Sequence, residues 1–236
     1  MSALGSRIQR KEPLFPWFLF STLLPLLVMP FTDLEGNALQ RLMLPVVTLY
    51  LVILVLRMMP DGLLRLGHLS LLPFYQLLGI LCAAVMWLPF LLGYHAGHHW
   101  HLPILVVITG FYLFTAVAIV LILARVDRVN EAVLCLGAAG YVHLGLTGGQ
   151  IATALEVLNP GSFSLGRMLP GEELIERLSY FSFVTLGTLG YGDVLPATAL
   201  AESFSVLLSV TATLYITLLI GLLLSRYIAS VDAGRR

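Results

Sequence analysis

Long apolar runs separated by short polar segments dominate the pattern of the chain. A helix needs about 20 apolar residues to span the hydrocarbon core of a bilayer. Runs of this kind lie at 14–31, 42–59, 71–93, 102–124, 129–158 and 197–225. A shorter apolar segment, 173–187, lies between the last two runs and is too short to span. The pattern therefore predicts an all-α membrane protein with six transmembrane helices and a short re-entrant helix between the fifth and the sixth.

The first apolar run differs from the others. It is short and contains Pro16, Pro25 and Pro30, so we expect a kinked or irregular helix. A basic segment precedes it, as in a signal peptide, but the run is long for a leader and no small-x-small cleavage site follows. We therefore interpret it as the first membrane helix.

Basic residues predict the orientation of the six helices, because Lys and Arg concentrate in cytoplasmic loops. Six spans leave both termini on one side, and cytoplasmic termini place only Arg41, Arg167 and Arg177 outside. We therefore expect a multi-pass protein of the plasma membrane with both termini in the cytoplasm. Nearly all basic residues are Arg, which is typical of GC-rich bacterial genomes and favours the bacterial inner membrane. The inside would hold Arg7, Arg10, Lys11, Arg57, Arg65, Arg125, Arg128, Arg226, Arg235 and Arg236.

The composition excludes several classes of protein. Hydrophobic residues make up 58% of the chain and charged residues 11%, with a mean hydropathy of +0.94, whereas a soluble domain carries about a quarter charged residues. The formal net charge is zero, so charge gives no reason to expect a nucleic-acid partner. Cys82 and Cys135 fall inside apolar runs, where we expect buried free thiols. No catalytic constellation is visible, so we do not expect an enzyme.

A glycine-rich string follows the 173–187 segment. It reads Thr188-Leu189-Gly190-Tyr191-Gly192-Asp193 and resembles the T-x-G-Y-G-D filter of the tetrameric potassium-channel family. In that family, whose filter chemistry is established, backbone carbonyls replace the hydration shell of K⁺. The resemblance covers about residues 128–230. It implies passive, potassium-selective conduction with K⁺ as the permeant ion and no cofactor, and it assigns ion binding to Thr188, Leu189, Gly190, Tyr191 and Gly192.

The residue types in and around the string suit this role. Pointing successive carbonyls at one axis requires backbone angles that side chains resist, and Gly190 and Gly192 relieve that restriction. One copy of the string gives one strip of carbonyls, so a closed cage requires a homotetramer. Residues 172–187 are predicted to form a half-length helix with Glu172 and Glu173 in its first turn. The C-terminal end of this helix would direct partial negative charge toward a cation in the pore.

Two features depart from the usual pattern of the family. Gly187 stands where the family usually has Thr, although Thr185 is present. We therefore expect looser packing behind the filter, and a weakly selective cation channel is an alternative function. An aromatic pair beginning at Tyr180 replaces the usual Trp pair, and we expect the Tyr180 hydroxyl to reach Asp193.

Residues 1–127 are predicted to form a four-helix membrane domain without voltage-sensing charges. Voltage sensors of the family carry Arg at every third position of the fourth helix, and each charge moved supplies ~2.3 kcal/mol per 100 mV. The run 102–124 contains no basic residue, and Arg125 follows it at the inner end. Only a short cytoplasmic tail, 231–236, follows the pore domain, so we expect any ligand sensor on a separate regulatory subunit. A non-conducting regulatory channel subunit is a further alternative.

The last apolar run contains candidates for the inner pore. By analogy with the family, Thr213, Ile216, Ile220 and Leu224 would line it, and apolar side chains there could gate by dewetting. The alternative interpretation is plain helix packing within the tetramer.

The predicted external loop between the third and fourth runs contains four closely spaced histidines: His95, His98, His99 and His101. Imidazole binds borderline metals and titrates near neutrality. The loop is therefore interpreted as a regulatory zinc or copper site, an external pH sensor or an ordinary solvated loop. A membrane metal oxidoreductase with histidine boxes is another alternative, although such enzymes need several boxes. His143, in the fifth run, is interpreted as a packing residue, with a proton relay as the alternative.

Overall fold

The computed structural model describes residues 3–28, 31, 38–63, 65–66, 69–91, 101–126, 129–168 and 173–234. This part of the chain is mostly helical. The α-helices are α1 (Ala3–Gln9), α2 (Phe15–Val28), α3 (Ala38–Met58), α4 (Leu72–Leu91), α5 (His101–Arg125), α6 (Glu131–Leu158), α7 (Leu174–Leu186), α8 (Ala199–Leu214) and α9 (Gly221–Gly234). A 3₁₀ turn occupies Glu12–Leu14 and a π-helical segment occupies Tyr215–Ile220. The strands are β1 (Arg65–Leu66), β2 (Leu69–Ser70), β3 (Phe163–Ser164) and β4 (Leu195–Pro196).

Helix length and apolarity support a membrane protein. Among the described residues, three helical stretches are long and apolar enough to cross a bilayer: Pro103–Arg125, Glu131–Leu158 and Ala199–Thr217. They fall in the fourth, fifth and sixth apolar runs. Shorter apolar helices lie in the second and third runs at Pro45–Met58 and Leu72–Trp87. The first run forms α2, which has 14 residues, so six complete spans stay a prediction.

Helix α2 is continuous through its prolines. Pro16 lies in its first turn, where a missing N–H costs nothing, and the helix continues past Pro25 to Val28. The hydroxyls of Ser21 and Thr22 donate to backbone carbonyls one turn earlier, at 2.8 Å each. The helix is therefore continuous, the expected kink stays a prediction, and Pro30 lies outside the described residues.

The N-terminal helices pack against α6 around a buried histidine. His143 Nε2 lies 3.1 Å from the backbone carbonyl oxygen of Tyr112 in α5. Its ring stacks on the Tyr112 ring at a centroid distance of 5.1 Å and meets the Phe18 ring of α2 at 6.1 Å. Within the described part of the chain, His143 Nδ1 has no hydrogen-bond partner. This side chain joins α2, α5 and α6, as expected of a packing residue.

A short strand pair connects the loop after α6 to the segment before α8. Phe163 pairs with Pro196 and Ser164 with Leu195 in antiparallel register. The Glu156 carboxylate shapes the loop by accepting hydrogen bonds from two backbone N–H groups, both at 2.8 Å. The all-α prediction omits this pair and β1–β2, because two-residue strands give no alternating pattern to detect.

The last membrane helix is longer than predicted and contains a π-helical segment. Thr198 caps the start of α8 by accepting from the Ala201 N–H. Helical structure then continues through the π segment and α9 to Gly234, beyond the predicted end at 225. The Tyr215 hydroxyl donates to the Gly137 carbonyl of α6 at 2.9 Å. This buried hydrogen bond fixes the start of the π segment against α6.

Candidate ion-conduction site

The short helix before the glycine-rich string, α7, forms where the sequence predicts it. It has 13 residues, about 20 Å at 1.5 Å per residue, which is too short to span. Glu173 is its N-cap in a capping box with Glu176, and the Glu176 carboxylate accepts from the Glu173 N–H at 3.2 Å. Burial and the neighbouring charge of Glu176 raise the pKa of Glu173. Glu172 lies outside the described residues.

Helix α7 packs on a face of α6 that is built from glycines. The Phe183 ring lies directly over Gly145, and Ser182 Oγ donates to the Gly145 carbonyl at 2.8 Å. One turn on, Gly148 faces Ser182 and Gly149 faces Ser179, with no room for a Cβ at either glycine. Small residues allow such close approach between membrane helices. The glycine spacing in the fifth apolar run was a detectable signal for this contact, which was not among the predictions.

Hydrogen bonds hold the turn from α7 into the string. The Tyr141 hydroxyl of α6 donates to the Leu186 carbonyl at 3.0 Å, which satisfies an acceptor at the end of α7. The Gly187 N–H donates to the Phe183 carbonyl at 2.8 Å, and the Thr188 N–H donates to the Thr185 carbonyl at 3.1 Å. Gly187 has φ −78° and ψ 3°, so its own conformation does not require glycine.

Every second residue of the string has a left-handed backbone. The φ angles are +58° at Thr188, +56° at Gly190 and +75° at Gly192, whereas Leu189 and Tyr191 are not among the positive-φ residues. In an ordinary strand successive residues face opposite sides. Reversing φ at alternate residues rotates alternate peptide planes, so that successive carbonyls can project to one side. Thr188 is the one described non-glycine residue with positive φ, a strained conformation that concentrates at functional sites.

The string is exposed in the single chain. The Leu189 and Tyr191 side chains are 58% and 65% exposed. A cavity of about 190 Å³ lies behind the string, bordered by Thr185 of α7, by Gly190 and by Ser205 of α8. One chain therefore provides a single unenclosed strip of backbone.

Side chains surround the C-terminal end of the string at Asp193. The guanidinium of Arg177 lies 3.4 Å from the Asp193 carboxylate. The Tyr180 side chain also interacts with Asp193, and the predicted hydrogen bond from its hydroxyl stays a prediction. From the sequence, Arg177 was predicted only to be a basic residue on the external side. No local pattern connects it with Asp193, which lies 16 residues later.

The structure does not bring the other candidates to this site. Thr213, Ile216 and Leu224 are exposed on the last helix, whereas the Ile220 side chain lies against Gly137 of α6. Ile220 is the last residue of the π segment, whose i→i+5 bonding changes the side-chain register relative to a continuous α-helix. A pore-lining role for the four residues stays a prediction.

The histidine-rich loop falls largely outside the described part of the chain. His95, His98 and His99 lie outside the described residues, and His101 begins α5 with a side chain that is not described. Among the residues that are described, no group of three or more His, Cys, Asp or Glu side chains could hold a metal ion. Metal binding and pH sensing by the loop stay predictions.

Comparison with known proteins places a channel domain on these elements. A family model described as an ion channel matches residues 165–229, which include α7, the glycine-rich string and most of the last helix. No curated protein and no solved structure matches the chain. The chain thus carries an ion-channel domain.

Proposed function

We propose that this ion-channel domain conducts K⁺ selectively and passively, with residues 188–192 as its selectivity filter. The observation that carries the proposal is the alternation of left-handed residues at Thr188, Gly190 and Gly192 directly after a half-length helix. This backbone would direct a ladder of carbonyl oxygens toward a dehydrated cation. The C-terminal end of α7 would add favourable partial negative charge beneath it.

The working unit would be a homotetramer. One chain supplies one strip of carbonyls, and four strips around an axis would complete the cage. The exposure of Leu189 and Tyr191 supports this assembly, because enclosing the filter requires walls that the described part of one chain does not supply. Apolar side chains of α8 such as Leu207, which is 65% exposed, would then meet lipid or a neighbouring subunit. We place the tetramer in the plasma membrane with cytoplasmic termini, as the distribution of basic residues favours.

The reversal potential of the purified protein in planar bilayers tests the proposal, with K⁺ on one side and Na⁺ on the other. We expect reversal near the potassium equilibrium value and loss of selective current in Gly190→Ala. A Cβ at Gly190 would meet nothing within 4 Å, so the strain comes from its φ of +56°. Gly110→Ala is the matched control, because a Cβ there is equally free and its φ is not left-handed.

Other outcomes distinguish the alternatives. A reversal potential near zero with robust current would identify a weakly selective cation channel, with the missing side chain at Gly187 as the first candidate cause. Absence of current across pH, with zinc and with chelator, would favour a regulatory subunit. Selective current in Gly190→Ala equal to that in Gly110→Ala would refute the filter assignment.

A further inference from the structure

The outer end of the filter depends on side-chain contacts. At the inner end, the N–H groups of Thr188 and Leu189 donate to backbone carbonyls of α7. Among the described residues, the N–H groups from Gly190 to Asp193 make no backbone–backbone hydrogen bond. The outer half, which includes left-handed Gly192, is therefore held mainly through contacts at Asp193.

Arg177 makes most of those contacts from a fixed position on α7. Its Nη2 donates to the Asp193 backbone carbonyl at 3.3 Å and lies 3.4 Å from Asp193 Oδ2. Its Nε donates to the Leu165 carbonyl of the external loop at 2.9 Å. The guanidinium carbon also lies 5.4 Å from the centroid of the Tyr180 ring. The side chain is only 13% exposed, so these contacts connect α7, the loop and the end of the filter.

The external loop is shaped to allow this approach. Gly166 has φ +61°, and a Cβ there would overlap the Asp193 carbonyl oxygen and lie 3.3 Å from Arg177 Nη2. A side chain at Gly166 would therefore push the loop away from both groups. The β3–β4 pair begins one residue after Val194 and holds the same loop beside the filter.

The effect of these contacts is local. Partly exposed ion pairs add little to overall stability, and Asp193 is 40% exposed. Holding the carbonyl and the carboxylate of Asp193 at once, however, restricts rotation of the peptide groups around Gly192. These are the groups that must keep their orientation for an ion to be coordinated there.

We propose that Arg177 is a positioning residue for conduction, which keeps the outer end of the filter in its conducting conformation by holding Asp193. This inference rests on the proposed function and adds the residue that determines how long the filter stays conductive. Because K⁺ bound to the filter carbonyls stabilises the same conformation, high external K⁺ should substitute for the missing contact. A defect in folding or assembly would not respond to external K⁺ in this way.

Single-channel recording of the reconstituted full-length tetramer tests the proposal with three variants. Arg177→Gln removes the charge and the two-sided contact, and Arg177→Lys keeps the charge without the planar donor fork. Arg167→Gln is the control, because it removes an exposed external charge only two residues beyond Leu165 in the same loop. In low external K⁺ we expect bursts about tenfold shorter in Arg177→Gln, in line with loss of a charge-assisted hydrogen bond. Bursts should be intermediate in Arg177→Lys and unchanged in Arg167→Gln.

The outcomes separate this proposal from the proposed function. High external K⁺ should restore the bursts of Arg177→Gln, and the reversal potential should be the same in every variant. Equal bursts in Arg177→Gln and Arg167→Gln, or shortened bursts that K⁺ does not restore, would overturn the role of Arg177. If the wild-type protein itself carries no potassium-selective current, the proposed function fails instead.

If the wild-type protein carries no potassium-selective current, hydrogen–deuterium exchange of the purified chain tests the contact between Arg177 and Asp193 directly. Faster exchange at 190–194 in Arg177→Gln than in Arg167→Gln would support the contact. Equal exchange would overturn it.

Discussion

Replacing Gly149 by Ala tests the close packing of α7 on α6, which positions the proposed filter. A Cβ at Gly149 would lie 2.7 Å from the Cα of Ser179 and closer still to its Oγ, whereas real Cβ atoms essentially never come within 3.0 Å of another heavy atom. The Cα atom belongs to the backbone of α7, so no change of rotamer removes the overlap. The two helices must separate, and the turn into the filter must move with α7.

The expected size of the effect follows from a matched control. Overpacking of a close contact costs about 1–3 kcal/mol. Gly110→Ala in α5 makes the same chemical change in a membrane helix, with nothing within 4 Å of the new Cβ. We therefore expect the free energy of unfolding of Gly149→Ala to be lower than that of Gly110→Ala by about 1–3 kcal/mol.

Titration with a denaturing detergent, followed by circular dichroism, measures this difference. Adding Ser179→Ala removes the Oγ overlap and leaves the Cα overlap, so it should restore stability only in part. Equal stability of Gly149→Ala and Gly110→Ala, within about 0.5 kcal/mol, would refute the close contact and with it the glycine face of α6.

Three further substitutions test the filter and its supports. Gly187→Thr should fold, because Gly187 has φ −78° and its new Cβ, 3.1 Å from the Phe183 carbonyl oxygen, requires only a small shift. The ratio of K⁺ to Na⁺ permeability from reversal potentials should rise. An unchanged ratio would show that Gly187 does not limit selectivity. Tyr180→Phe removes the hydroxyl that we expect to donate a hydrogen bond to Asp193, and it should shorten single-channel bursts about fivefold, the equivalent of ~1 kcal/mol. Bursts of wild-type length would count against that bond. Tyr215→Phe loses the 2.9 Å hydrogen bond to the Gly137 carbonyl. The detergent titration should therefore show a free energy of unfolding that is lower by ~1 kcal/mol. An unaltered midpoint would contradict the contact.

The sequence by itself determined the features that depend on local rules. Apolar length predicted the helices at 129–158 and 197–225 to within a few residues of their observed starts, because span length is a property of the run itself. The string from Thr188 to Asp193 predicted special backbone angles, which are present at Gly190 and Gly192. Glycine has no Cβ, so its conformational freedom can be recognised from residue type alone. The left-handed conformation of Thr188 was not predicted, because that argument concerned the glycines.

Only the tertiary structure decided which residues contact the glycine-rich string and the helix before it. Membrane helices are apolar on all sides, so periodicity does not separate the lipid-facing side from the protein-facing side. For this reason the sequence could not orient the glycine face of α6 toward Ser179 and Ser182, nor Ile220 toward Gly137. The contact of Arg177 with Asp193 joins a residue on α7 to one after the filter, and the β3–β4 pair joins segments more than 30 residues apart. Such contacts arise from the turn of the chain at the filter and from close helix packing, and neither follows from residue type along the sequence.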